Sequence, residues 1–191
     1  MLAALTVAGE GAEVAQISVG VVVTYLIIYA VMNLGAFAVV ITVARRTKSA
    51  DINSFNGLFH WSPTLTVVMT IFLASLAGIP PLGGWFAKFG VWRALAAADV
   101  WWAYVLAVIV GINAVIAFAY YGRLAARMWI EDAPTEFETS PQRVPFALQA
   151  VLGITALATV GFGIFPAAVT QFSDIDIPSF VEDEVATADG G

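Results

Sequence analysis

Cysteine is absent from the 191 residues and histidine occurs once. This excludes disulfides, thiolate metal sites and iron-sulfur ligation, and a single imidazole leaves no metal cluster to assemble. Charge is scarce as well. Only 12% of the residues are Asp, Glu, Lys or Arg while 60% are apolar, and the mean hydropathy is +0.87. A soluble domain cannot be built from so little polar surface, so the composition is that of a polytopic membrane protein. The apolar stretches contain no Asp or Glu, no nucleotide-binding loop and no nucleophile triad. None alternates as a barrel strand does. The first 30 residues also lack the basic start and short apolar core of a signal peptide, so Met1 reads as an internal start or a cut chain.

What remains is helix. Four charge-free segments, 14–44, 61–87, 100–122 and 144–173, each exceed the ~18 residues that mark a spanning helix. The expected fold is an all-α membrane bundle of about four transmembrane helices at about 14–44, 63–98, 100–129 and 146–172, the second discontinuous over 78–84. Residues 1–13 read as the tail of a preceding helix and a turn, and 173–191 as an acidic tail without fixed structure. Residues 130–145, with acidic residues and three prolines, read as a solvated connector.

Segment 63–98 can be one broken span or two complete ones, and the basic residues discriminate. One broken span puts Arg45, Arg46, Lys48, Arg123, Arg127 and Arg143 on one side, leaves Arg93 on the other and keeps Lys88 inside the membrane. Two spans would split the first six, so the positive-inside bias favours one. Trp101, Trp102 and Tyr104 at the start of the third span, and Tyr120, Tyr121 and Trp129 towards its end, read as interfacial anchors.

The chemistry-bearing stretch is the break itself. Gly78, Gly83 and Gly84 allow backbone angles a helix does not use, and Pro80 and Pro81 remove two amide donors, so an unbroken ladder is implausible there. Freed backbone groups at membrane depth must face protein or water, and such breaks accompany ion and proton sites; an ordinary proline kink is the plain alternative. Lys88 follows four residues after Gly84, on the same helix face, where the missing side chain leaves room for water or a partner. Burial opposes its charge and the carbonyl end of the first half-helix supports it, the balance a proton relay needs. Snorkelling is the alternative, but the end of the half-helix is ten residues away, roughly 15 Å.

Weaker polar stripes surround it: Tyr25, Tyr29 and Asn33; Thr66 and Thr70; Asn113, Ala117 and Tyr121. These fit a water file or interhelical packing bonds, packing being the commoner use. Tyr25, Asn33, Ser75, Asn113 and Tyr121 are the candidates for lining a proton path around Lys88. His60 reads as an interfacial residue.

The segments YAVMNLGAFAVV (29–40) and SLAGIPPLGGWFAKF (75–89), with the run from Asn113 to Tyr121 leading into Arg123, resemble the C-terminal third of subunit N of bacterial respiratory complex I, an antiporter-like membrane subunit. Order and spacing agree from about residue 20 to 172. In the related subunit M a Glu usually stands in place of Lys88, and Mrp-type sodium/proton antiporters carry a similar Gly-Ile-Pro-Pro and Lys. The resemblance implies two inverted five-helix repeats, each with a broken helix, in which buried lysines and a carboxylate move protons while quinone is reduced elsewhere. Lys88 would be the lysine of the second broken helix, on the route towards the periplasm. The first repeat, with its glutamate and two further lysines, has no counterpart in these residues, so the chain would supply the outer half of a path. The resemblance further implies an NADH:quinone oxidoreductase translocase subunit in the bacterial plasma (inner) membrane, surrounded by lipid and other membrane-arm subunits. It implies no cofactor in this chain, with flavin, iron-sulfur clusters and quinone in partner subunits, no metal and no nucleic acid. Two rivals stand: an Mrp-type cation/proton antiporter subunit, and a bundle that only braces the membrane arm.

Overall fold

The computed structural model describes residues 2–10, 12–132 and 145–170, and every regular element among them is helical. A short α1 (Leu2–Thr6) and one 3-10 turn precede α2 (Ala12–Thr47). At 1.5 Å per residue the 36 residues of α2 extend about 54 Å. No proline interrupts it, and Arg45 and Arg46 lie in its last turn, where cations suit the carbonyl end. The linker holds a 3-10 turn over 52–55 and the one-turn α3 (Leu58–Trp61), more order than the turn-rich composition suggested.

Pro63 opens α4 (Pro63–Ala77) at a first-turn position that needs no amide donor. Gly78, at φ 89°, closes it. After residues 78–82, in which the Pro80-Pro81 peptide is cis, α5 (Gly83–Ala97) begins. The break is thus two residues shorter than 78–84: Gly83 and Gly84 form the first turn of α5. Then follow α6 (Trp101–Ile130), α7 (Phe146–Ile164) and the one-turn α8 (Ala167–Thr170). The fourth span was expected to run unbroken to 172, but it is interrupted at Phe165 and Pro166. Proline lacks an amide and pushes its predecessor out of helical angles, and Phe165 has φ −122° and ψ 70°. The connector over 133–144 and the acidic tail from 171 onward lie outside the described residues.

The two half-helices run in one direction along α2. Gly35 faces the Phe72 ring, Met32 meets Ser75, Ile28 faces Gly83, and Val21 faces Gly90. As the numbering rises through α4 and α5, the α2 partner falls steadily, which is one antiparallel crossing with a break in the middle. The basic ends gather accordingly: the Gly57 amide donates to the Arg127 carbonyl at 3.1 Å, and the Arg46 guanidinium lies 4.4 Å over the Trp61 ring. Among the described residues α2, α6 and α7 are long and apolar enough to cross a membrane, and α4 is a shorter apolar helix that α5 follows across the break. The chain is a multi-pass membrane protein.

Buried side chains form two clusters on either side of the break. The larger packs Val39, Val43, Leu58, Phe72 and Met128; the smaller packs Val7, Val91, Ala94 and Leu95. Tyr25 touches both.

Candidate functional site

Ending a helix leaves four carbonyls without amide partners, and here the following prolines cannot supply them. Two are satisfied locally. With Gly78 in the left-handed region, its amide donates to the Ser75 carbonyl at 2.9 Å and the Ile79 amide donates to the Ala74 carbonyl at 3.0 Å, the paired bonds of a glycine-terminated helix end. The next two carbonyls are met by a side chain from the other half-helix. Lys88 Nζ donates to Leu76 O at 3.0 Å and to Ala77 O at 2.8 Å. The lysine therefore sits on the negative end of α4.

The opposite end is closed by reciprocal means. No side chain of the preceding segment caps α5, but Ser75 Oγ of α4 accepts from the Gly84 amide at 3.0 Å and lies 3.2 Å from Met32 Sδ on α2. It does from across the break what an N-cap serine does within one helix. Gly84 is needed for this approach, since a Cβ there would overlap the Ser75 carbonyl. The space left by the missing side chain is occupied by α4 backbone, where the sequence had suggested room for water or a partner group.

Lys88 also lines a cavity of about 350 Å³ between α2, α5 and α6. Tyr25, Tyr29, Asn113, Tyr120 and Tyr121 share it, and Lys88 is the one charged side chain among the described residues of its lining. The tyrosines pair by ring contact: Tyr25 and Tyr29 stack at 5.8 Å between centroids, and Tyr120 and Tyr121 meet at 4.3 Å. The Asn113 amide donates to the Ile109 carbonyl at 3.0 Å, leaving its side-chain oxygen as an acceptor.

Of the residues singled out in the sequence, Lys88, Tyr25, Asn113, Tyr121 and Gly84 meet at this cavity. Ser75 is fully buried in the break and off the lining. Asn33 is off the lining: its side-chain amide donates to the Tyr29 carbonyl of its own helix at 2.8 Å. Tyr29, Tyr120 and Met32 were not among the candidates. Tyr29 carried a signal in its spacing from Tyr25, whereas Tyr120 was read as an interfacial anchor although it stands ten residues before the end of α6. Thr66 and Thr70 bond to the carbonyls of Ser62 and Thr66, and Thr70 accepts from Trp129 Nε1 at 2.9 Å, all packing contacts. Among the described residues no three His, Asp or Glu side chains come together as a metal site.

A family model described as NADH:quinone oxidoreductase/Mrp antiporter, transmembrane, matches residues 2–116. The chain belongs to that family. Within it, the chain is similar to NADH-quinone oxidoreductase subunit N of Brevibacillus brevis, at 39% identity over 160 residues, covering 83% of this chain and 30% of that protein. Subunit N 1 of Koribacter versatilis is 38% identical over 76% of this chain and 27% of its own length. Subunit N of Coxiella burnetii is 37% identical over 79% and 30%. The chain thus spans about three-tenths of the length of these relatives. A chain of respiratory complex I from Thermus thermophilus with bound aureothin has the same fold, with a TM-score of 0.61 at 22% identity over 82% of this chain and 36% of that one.

Proposed function

We propose that this chain is the lysine-bearing outer part of a proton-translocating membrane-arm subunit of an NADH:quinone oxidoreductase in the bacterial plasma membrane, and that Lys88 relays the proton. The observation that carries the reading is the double role of Lys88, which bridges the two half-helices and lines a polar cavity among tyrosines. An ammonium has three donors. Two are taken by the Leu76 and Ala77 carbonyls; the third is the one that would exchange with water in the cavity. A neutral amine keeps two N–H groups, enough for both carbonyls, and gains a lone pair to accept a proton. Losing the charge also weakens both bonds, since charge-assisted hydrogen bonds are roughly twice as strong as neutral ones. Protonation is thereby tied to how tightly the break is held.

In this reading Tyr25, Tyr121 and Asn113 order cavity water, while Ser75, Gly78 and Gly84 hold the break in shape. Electron transfer, with its flavin, clusters and quinone, belongs to partner subunits, and the energy reaches this chain through its membrane-arm neighbours. The subunit N relatives favour proton coupling to quinone reduction over an Mrp-type cation/proton exchange, although the family description embraces both. A bracing role also has an observation in its favour, the same two bonds from Lys88 to the end of α4. The test is Lys88→Ala in the assembled complex, with proton uptake and NADH oxidation measured in the same vesicles. The relay reading expects severe loss of pumping with assembly preserved; a brace alone would leave the pumping ratio unchanged wherever the complex still assembles.

A further inference from the structure

One buried polar group has no part in the account of Lys88. Ser18 of α2 is fully buried, and its hydroxyl oxygen has no hydrogen-bond partner among the described residues. Other buried hydroxyls behave differently: Thr42 donates to the Ala38 carbonyl and Thr159 to the Thr155 carbonyl, both at 2.7 Å and each four residues back on its own helix. Helix packing leaves that bond within reach, and Ser18 forgoes it. An unpaired buried hydroxyl raises the free energy of the state that contains it, and water that reaches it relieves the penalty.

Its position gives this a use. Seven residues, close to two turns, separate Ser18 from Tyr25, so both stand on one face of α2 about 10 Å apart, a face that also carries Val14, Val21 and Val22. All four of these neighbours belong to the smaller apolar cluster, with Val91, Ala94 and Leu95 of α5 and the fully buried Ala4 and Val7. Tyr25 and Val91 also line the Lys88 cavity. The cluster takes its α2 members from the half of the helix remote from Arg45 and Arg46, and its α5 members from beyond Lys88. It therefore closes the cavity on the side away from the basic end.

We propose that this cluster is an apolar gate on the outward side of Lys88 and that Ser18 is the residue at which water enters it; the proposal rests on Lys88 as the relay. Apolar constrictions close by expelling water. In the closed state the Ser18 hydroxyl is unpaired; in the hydrated state it is satisfied, so it lowers the free energy of wetting at one defined point. A proton leaving the Lys88 ammonium, which becomes a neutral amine, then passes along the water that Ser18 holds.

The test uses the full-length subunit in its assembled complex. Ser18→Ala removes an unpaired group, so the melting temperature is expected to stay the same or rise, while NADH-driven proton movement into sealed vesicles slows about five-fold, within the range of one hydrogen bond. The chain has no cysteine, so Ser18→Cys introduces one thiol into it. Labelling at position 18 by methyl methanethiosulfonate, read by peptide mass spectrometry, is expected to be several-fold faster during NADH oxidation than at rest, because the reactive thiolate forms where water reaches it. An unchanged rate of proton movement in Ser18→Ala, or labelling no faster in turnover than at rest, would overturn the gate. Lys88→Ala is measured alongside: if it pumps normally, the relay and the gate fall together, and if it is impaired while Ser18→Ala is not, the gate alone falls.

Discussion

The Lys88 ammonium lies 2.8 Å from the carbonyl oxygen of Ala77, so a charge carried by one half-helix closes the end of the other. The two residues are eleven apart in the chain, and the prolines between them remove the backbone donors that would otherwise serve that end. The lysine is thus a structural cap as well as the candidate proton carrier.

The reciprocal cap is open to a direct test. Ser75→Ala removes the acceptor for the Gly84 amide and is expected to cost about 1 kcal/mol, the usual size of a lost N-cap. A lowered melting temperature of the purified subunit checks this, with Ser75→Thr retaining most of the stability.

Gly84→Ala is expected to be worse than Ser75→Ala. Its Cβ would overlap the Ser75 carbonyl, a backbone atom that can yield only if the half-helices separate. Overpacking of this kind costs about 1–3 kcal/mol. Reduced amounts of assembled complex on native gels, together with lower proton pumping per NADH, are the expected result.

At Gly78 the strain is conformational. With φ at 89°, Gly78→Ala costs about 1–2 kcal/mol for the left-handed backbone, and its Cβ would come within 2.9 Å of Lys88 Cδ, shifting the stem that carries the ammonium. Pumping is expected to fall by more than stability alone explains, which a comparison with an equally destabilised Gly35→Ala complex reveals.

The cavity hydroxyls separate lining from bystander. Tyr25→Phe and Tyr121→Phe keep ring packing and remove one hydroxyl each, and each is expected to slow proton transfer several-fold with assembly unchanged. Asn33→Ala is expected to be silent, because Asn33 bonds only to its own helix among its described contacts. Proton uptake by single-turnover vesicles measures all three.

The helical class, the single broken crossing and the unusual position of Lys88 were legible because they rest on local features: long apolar runs, two prolines among glycines, and a charge inside an apolar segment. The partners of Lys88 were not, since the carbonyls that hold it are the ones left over after Gly78 and Ile79 have taken two others, a count that needs backbone geometry. Ser75 could be suspected as polar and buried, but its capping of Gly84 depends on how closely the half-helices approach. Asn33 stands off the cavity lining, a placement the spacing could not foretell, since Asn113 and Tyr121 are also eight residues apart and both line it. Tyr120 was hidden by its neighbour, as adjacent tyrosines in the last third of a span read as anchors and only the packing of α6 shows that both line the cavity. The interruption at Pro166 was written in the sequence, and the apolar run across it concealed the consequence.

The most direct test of the relay is Lys88→Arg. Arginine keeps donors for the Leu76 and Ala77 carbonyls and keeps the charge on the end of α4, but it does not give up its proton in a protein. The measurement is the number of protons moved per NADH oxidised by assembled complex in sealed vesicles. The relay account predicts that the ratio falls as far as it does for Lys88→Ala while assembly stays normal. A ratio equal to that of the unaltered complex would contradict it and leave Lys88 as a brace.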